Sequence, residues 1–136
     1  MEMVIDFPGG ARVDAHFGSF TIETDQPRQA SGDDSAPAPF SVFLASIGTC
    51  AGIYILGFCR QRNIPIDGMK LTQRMETNPA NGMVTQIALD IQLPPGFPEK
   101  YKDAVIRAAD QCKVKKHMEH PPKFLINANV AEKVAA

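Results

Sequence analysis

Apolar and polar residues divide this chain into one long uncharged segment and several alternating ones. Residues 35–59 carry no charged side chain, and from Phe40 onward the apolar positions cover every side of a helical wheel. Pro39 suits the first turn of a helix, where a missing N–H costs nothing. Arg60 and Pro65 mark its end. The pattern therefore predicts a central helix that is buried all round.

The flanking segments alternate with a period of two. Residues 3–7, 12–17 and 20–24 predict antiparallel strands that are apolar on one side only. Residues 69–76 and 83–93 alternate in the same way and are separated by a turn that contains Asn-Gly. These two segments predict a long hairpin.

The C-terminal third predicts two helices and a strand. A helix is expected from Glu99, with an apolar stripe that ends at Cys112, followed by a short basic helix over 113–120. A last strand is expected over 124–130 and a frayed tail from Ala131. The order of elements predicts one α+β domain spanning residues 1–136.

The composition of the chain argues against several classes of function and location. The formal net charge of −1, with no Trp and two Tyr, argues against nucleic-acid binding. Residues 1–7 have neither the basic flank nor the apolar core of a secretory signal, and three cysteines without one indicate a reducing, cytoplasmic location. The uncharged helix approaches the length of a membrane span, but its hydroxyl residues and the amphipathic strands around it favour a core helix over a membrane one.

The central helix is too apolar for one amphipathic sheet to cover. A sheet with one apolar side hides one face of the helix, which leaves the other face for a second copy of the chain. Gly48 and Gly52 lie four residues apart and would allow another helix to approach closely. The sequence therefore predicts a homodimer built around paired central helices.

Two cysteines are the main candidates for chemistry. Cys50 lies at the middle of the central helix, and Cys112 is expected to face the core from a different element. Cysteine in an apolar helix is often a small core residue, and that interpretation stands beside the functional one. Cys59 lies roughly 180° around the helix from Cys50 and is interpreted as a packing residue.

The segment Pro39-Phe-Ser-Val-Phe-Leu-Ala-Ser-Ile-Gly-Thr-Cys50, together with Cys112-Lys-Val ahead of a terminal Phe-Leu-Ile-Asn-Ala strand, resembles the OsmC/Ohr family. The resemblance implies an intertwined α+β homodimer, with antiparallel sheets wrapped around two central buried helices and active sites at the subunit interface. It implies thiol-dependent reduction of organic hydroperoxides in protection against oxidative stress, with no cofactor. Cys50 would be the peroxidatic cysteine, Cys112 the resolving one, and a dithiol the reductant.

A buried thiolate requires a positive charge nearby. Arg28, in the loop before the helix, is the first candidate, and Arg12 is the second. The family pairs its arginine with a glutamate early in the helix, whereas Phe40 and Ser41 occupy that place here. This departure keeps open the alternative of a dimer with the same fold that binds a small hydrophobic ligand and has no peroxidase turnover.

A third hypothesis is a metal site formed by Cys112, His117 and His120. The spacing matches no standard zinc pattern, so we expect no metal and interpret the two histidines as part of a solvated basic helix end.

Overall fold

The structure is a computed structural model that describes residues 1–132; residues 133–136, most of the predicted tail, lie outside the described range. It contains five strands and three α-helices, with short 3-10 helices at Arg28–Ala30 and Glu99–Tyr101. In chain order these are β1 (Val4–Gly9), β2 (Arg12–Phe17), β3 (Phe20–Thr24), α1 (Pro39–Gln61), β4 (Lys70–Thr77), β5 (Val84–Gln92), α2 (Lys102–Ala109) and α3 (Lys113–Glu119). The predicted α+β class is confirmed.

The first three strands form an antiparallel sheet in the order β1-β2-β3. Ala15 pairs with Ile5 on one side and with Ile22 on the other, so the alternating pattern places these apolar side chains on one face. That face is largely uncovered: Ile5 is 51% exposed and Phe20 is 67% exposed. An apolar sheet face of this kind needs a partner surface.

The centre of the molecule is α1, which begins and ends where the sequence predicts. Pro39 occupies its first turn without a side-chain cap. At its end Asn63 adopts a left-handed conformation with φ of 53°, and the Ile64 N–H donates to the Cys59 carbonyl at 2.9 Å. The Arg62 guanidinium lies 3.7 Å from the centre of the Phe58 ring, which holds the last turn against the core.

The core lies between α1, α2 and the β4–β5 hairpin. The buried cluster consists of Ala51, Ile55, Phe58, Cys59, Val105 and Ala109. Leu71 pairs with Ile91 in the hairpin, and both side chains pack against this cluster. Gly48 leaves room for the Gln73 side chain, whose oxygen would lie 2.5 Å from a Cβ at that position. The Gln73 amide donates to the Leu44 carbonyl of α1 at 2.9 Å.

Only one side of α1 is covered in the single chain. Ile53 is 56% exposed, Phe40 is 55% exposed and Tyr54 is 38% exposed, so the predicted burial on all sides is not reached here. By length and composition α1 is long and apolar enough to cross a membrane, a test that core helices also pass. The strands and helices of one chain cover a single face of α1, as the sequence predicts, and burial of the other face by a second copy of the chain stays a prediction.

Two local predictions in the C-terminal third were wrong. The helix predicted from Glu99 starts as a 3-10 turn and ends at Ala109, so Cys112 does not lie on it but caps the N-terminus of α3. The segment 124–130 is irregular and exposed instead of forming a strand, with Leu125 at 87% and Ile126 at 92% exposure. A strand requires a neighbour to satisfy its backbone, and no neighbour reaches this segment within residues 1–132.

Candidate two-cysteine site

The structure brings Cys50 and Cys112 together. Cys50 is on α1 and half-buried, whereas Cys112 is 2% exposed in the turn between α2 and α3. The two thiols lie near enough that each changes the pKa of the other. Both are free thiols in this structure. Their roles in catalysis remain predictions, but the neighbouring position that those roles require is present.

Cys112 is held by backbone groups on both sides. Its Sγ accepts a hydrogen bond from the Lys115 N–H at 3.4 Å, as an N-cap does, and donates to the Ile47 carbonyl at 3.8 Å. Ile47 precedes Cys50 by about one helical turn. The start of α3 is therefore fixed against the turn of α1 that carries Cys50.

The surroundings of the two thiols shift their pKa values in opposite directions. Burial raises the pKa of Cys50, but the N–H of Val114 and the thiol of Cys112 lower it. The N–H and the ammonium group of Lys113 lower it further, and the net shift is downward. Burial raises the pKa of Cys112, and the hydrogen bond to Cys50 and the charge of Cys50 add to the increase. Cys50 is thus the thiol that ionises more readily.

A cavity of about 560 Å³ opens beside Cys50. Its walls are largely apolar, and Lys113 and His117 are the polar side chains among its lining residues. The lining consists of Phe43, Cys50, Lys113, Val114, His117, Met118, Pro121, Pro122 and Phe124. A small molecule with an apolar body can therefore reach the thiol of Cys50.

The structure does not bring either predicted arginine to Cys50 within residues 1–132. Arg28 is exposed in the 3-10 turn before α1, and Arg12 forms ion pairs with Asp14 at 3.2 Å and with Glu23 at 3.6 Å. Lys113 is instead the cation whose charge acts on Cys50 in the single chain. The sequence alone places Lys113 in a basic helix over 113–120, and nothing local shows which way that helix faces.

Asp25 is a buried residue that the sequence analysis did not single out. Its carboxylate is 1% exposed and accepts hydrogen bonds from the Ser35 hydroxyl at 2.6 Å, the Ser35 N–H at 3.0 Å and the Gln26 N–H at 2.7 Å. These donors, the Ser35 hydroxyl first, lower the pKa of Asp25 to about 2. Asp25 thereby closes the loop that carries Arg28 and leads into α1. Its place directly after a strand and before a polar loop was the available signal.

Cys59 and His117 lie in different places: Cys59 is in the core cluster, and His117 lines the cavity beside Cys50. Cys59 is fully buried in the core cluster, and burial raises its pKa, as expected for a packing residue. The structure does not gather Cys112, His117 and His120 into a set of metal ligands. His117 Nδ1 lies 2.7 Å from the Lys113 carbonyl, which accepts its hydrogen, and the ring lines the cavity beside Cys50.

A larger apolar groove of about 940 Å³ lies next to this cavity, and Phe43 and Met118 line both. It runs between the first turns of α1, strand β5 and helix α2, and Phe40, Ile87 and Ile106 are among its lining residues. Cys112 is among the lining residues of this groove, whereas Cys50 lines the smaller cavity.

The fold and the site together define a small α+β protein with a thiol pair in an apolar cavity. The family model described as OsmC-like protein matches residues 32–127. The chain belongs to the OsmC-like family. No curated protein matches its sequence.

Several solved structures share the fold. A Psychrobacter arcticus protein described as an osmotic stress induced and detoxification response protein is 22% identical, with a TM-score of 0.71 over 84% of this chain and 85% of that one. An OsmC-like protein from Mycoplasma pneumoniae is 18% identical, with a TM-score of 0.65 over 96% and 94%. An organic hydroperoxide resistance protein OsmC from Legionella pneumophila is 18% identical, with a TM-score of 0.56 over 87% and 89%.

Proposed function

We propose that this protein reduces organic hydroperoxides, with Cys50 as the peroxidatic cysteine and Cys112 as the resolving cysteine. The observation that carries the proposal is the proximity of the two thiols, one on α1 and one before α3, each of which changes the pKa of the other. Family membership and the name of the Legionella relative support a role in detoxifying peroxides under stress.

The proposed reduction of a hydroperoxide proceeds in three steps. The Cys50 thiolate attacks the terminal oxygen of ROOH, the O–O bond breaks, and the alkoxide takes a proton to leave as ROH. Cys50 is then a sulfenic acid, and the Cys112 thiol condenses with it to form a disulfide and water. An external dithiol reduces this disulfide by exchange and is itself oxidised, which restores both thiols.

Burial and pKa support this division of roles. The attacking thiol must be ionised and reachable, and Cys50 has a lowered pKa and lines a cavity. The resolving thiol must wait beside it without reacting first, and Cys112 is 2% exposed with a raised pKa. The apolar walls of the cavity, Phe43 and Phe124 among them, favour a peroxide with a fatty or aromatic body over hydrogen peroxide.

The proposal includes a homodimer of single 136-residue domains in the cytoplasm, with paired α1 helices. Three uncovered apolar surfaces support it: one face of α1, one face of the β1–β3 sheet, and the segment 124–130. When a partner chain covers these surfaces, Arg28 of one chain can approach Cys50 of the other across the interface. Arg28 is proposed to stabilise the thiolate and the developing alkoxide in that setting.

The test is a thiol count. Reduced protein is titrated with cumene hydroperoxide without added reductant, and free thiols are measured after denaturation. We expect the loss of two thiols per chain, both in a Cys50–Cys112 disulfide identified by peptide mapping. Cys59→Ala serves as the matched control and should lose the same two. A Cys50→Ser variant that consumes the peroxide at the rate of the unmodified protein would refute the proposal.

The groove of about 940 Å³ favours a second candidate function, the binding of a small hydrophobic ligand without turnover. Its volume lies in the range of ordinary ligand sites. Native mass spectrometry of the purified protein distinguishes the two functions. A bound lipid-like molecule together with three unreacted thiols after peroxide treatment would favour binding alone.

A further inference from the structure

The polar face of the β1–β3 sheet carries a second cluster of reactive side chains, remote in sequence from the thiol pair. Asp6 on β1 pairs directly with Asp14 on β2, and His16 follows two residues later on the same face. One ligand atom from each of the three lies within 4.8 Å of the other two. Among residues 1–132 this is the one group of three such side chains with that spacing.

Asp14 is the unusual member of this cluster because it is a carboxylate with little access to water. It is 6% exposed, although it lies on the polar face of its strand. Its Oδ2 accepts a hydrogen bond from Arg12 at 3.2 Å, whereas its Oδ1 is buried without a hydrogen-bond partner in the described chain. A buried carboxylate oxygen without a donor is costly, and a bound cation would remove that cost.

His16 is oriented as a metal-binding histidine usually is. Its Nε2 lies 3.0 Å from Asp6 Oδ2, inside the cluster, and its Nδ1 lies 3.0 Å from the Thr21 hydroxyl on the neighbouring strand. Without an ion, the Nε2–H of His16 donates to the Asp6 carboxylate. An ion that displaces this hydrogen finds the Nε2 lone pair facing the two carboxylates, with Nδ1–H donating to Thr21. A hydrogen bond of this kind to the second ring nitrogen fixes the tautomer and the ring direction of histidine ligands.

We propose that Asp6, Asp14 and His16 bind a divalent transition-metal ion, such as Mn²⁺ or Zn²⁺. Two carboxylate oxygens and one imidazole nitrogen form a mixed set that such ions accept, with water completing the coordination. Small rotations of the three side chains bring their ligand atoms to one centre. Arg12 keeps a partner when the ion binds, because Glu23 already lies 3.6 Å from its guanidinium.

The site is independent of the peroxide chemistry. Its residues belong to β1 and β2, whereas the thiols belong to α1 and to the turn before α3. The ion crosslinks two strands of a sheet whose apolar face is uncovered, so its expected effect is to stabilise this sheet.

The test uses Mn²⁺, because this ion prefers carboxylate and imidazole to thiolate and so avoids the cysteines. The full chain is titrated at physiological ionic strength, bound and free ion are separated by electron paramagnetic resonance, and amide NMR signals are followed for paramagnetic broadening. We expect one ion per chain and broadening centred on residues 6, 14 and 16.

The variants Asp6→Asn and His16→Gln should each weaken binding by at least about tenfold. Thr21→Val, which leaves all three ligands in place, should weaken it by about tenfold through the loss of histidine orientation. His120→Gln is the matched control and should bind as the unmodified protein does.

Broadening scattered over acidic surface residues or centred on α3 would overturn the proposal, as would unchanged affinity in His16→Gln. Circular dichroism of each variant establishes that a loss of binding does not come from unfolding. The side chains of Asp6 and His16 are partly exposed, so their conservative replacements are expected to fold.

Discussion

The Sγ of Cys112 lies 3.8 Å from the carbonyl oxygen of Ile47, one turn before Cys50 on α1. This contact joins residues that are 65 positions apart in the chain. The contact fixes the buried thiol of Cys112 beside the more exposed thiol of Cys50. It also fixes the N-terminus of α3, and the α3 residues Lys113 and His117 line the cavity at Cys50. The position of the second cysteine and the shape of the cavity thus depend on one local arrangement.

Replacing Cys112 with serine should separate the first chemical step from the second. The Cys112→Ser variant should consume one equivalent of hydroperoxide and then stop, because no thiol remains to condense with the sulfenic acid at Cys50. Trapping with dimedone and mass spectrometry should locate the adduct on Cys50. Serine caps helices at least as well as cysteine, so α3 should remain in place. Sustained dithiol-dependent turnover at the unmodified rate would exclude Cys112 as the resolving residue.

Replacing Lys113 with methionine should raise the pKa of Cys50, because the ammonium group of Lys113 lowers it. At neutral pH the thiolate fraction, and with it the rate of Cys50 alkylation by iodoacetamide, should fall by about threefold, since solvent screens the exposed lysine. Lys116→Met is the matched control, since Lys116 bonds to Gln111 at 3.0 Å on another side of the helix. Equal alkylation rates in both variants would assign the low pKa to backbone groups instead.

Replacing Ser35 with alanine should raise the pKa of Asp25 from about 2 toward the ordinary value of 3.8, because the Ser35 hydroxyl is the largest cause of the shift. A depressed carboxyl pKa contributes stability above the unfolded-state pKa, and this contribution is lost as the pH falls from about 4 to about 2. Carbonyl NMR titration of Asp25 gives the pKa directly. The variant should also lose less stability than the unmodified protein across that acidic range; an unchanged titration would contradict this assignment.

Placing a carboxylate on the uncovered face of α1 should break the proposed dimer. Ile53 is 56% exposed in the single chain, so Ile53→Asp should leave a single chain's fold intact while weakening association by about two orders of magnitude, since burying an unpaired carboxylate costs several kcal/mol. Sedimentation velocity measures the change. Ile66→Asp, at a residue 45% exposed in the loop after α1, is the control and should stay dimeric. A dimer that survives Ile53→Asp would place the interface elsewhere.

The periodicity of the sequence was sufficient to predict α1, the three N-terminal strands and the β4–β5 hairpin, with boundaries close to those observed. These elements are set by local rules: Pro39 begins α1, Arg62 and Asn63 end it, and alternation fixes which strand residues share a face. The pairing of Cys50 with Cys112 was anticipated in outline, but the reason given for it, a helix extending to Cys112, was wrong.

Only the tertiary structure determined the contacts between segments that are far apart in the chain. The action of Lys113 on Cys50 in the single chain, the cavity of about 560 Å³ and the burial of Asp25 all result from how α3 and the loop before α1 pack. The segment 124–130 has the composition of a strand, yet a strand forms only where another backbone offers hydrogen bonds. Periodicity records which face of an element is apolar, whereas the neighbour that covers this face is chosen by the packing of the whole chain.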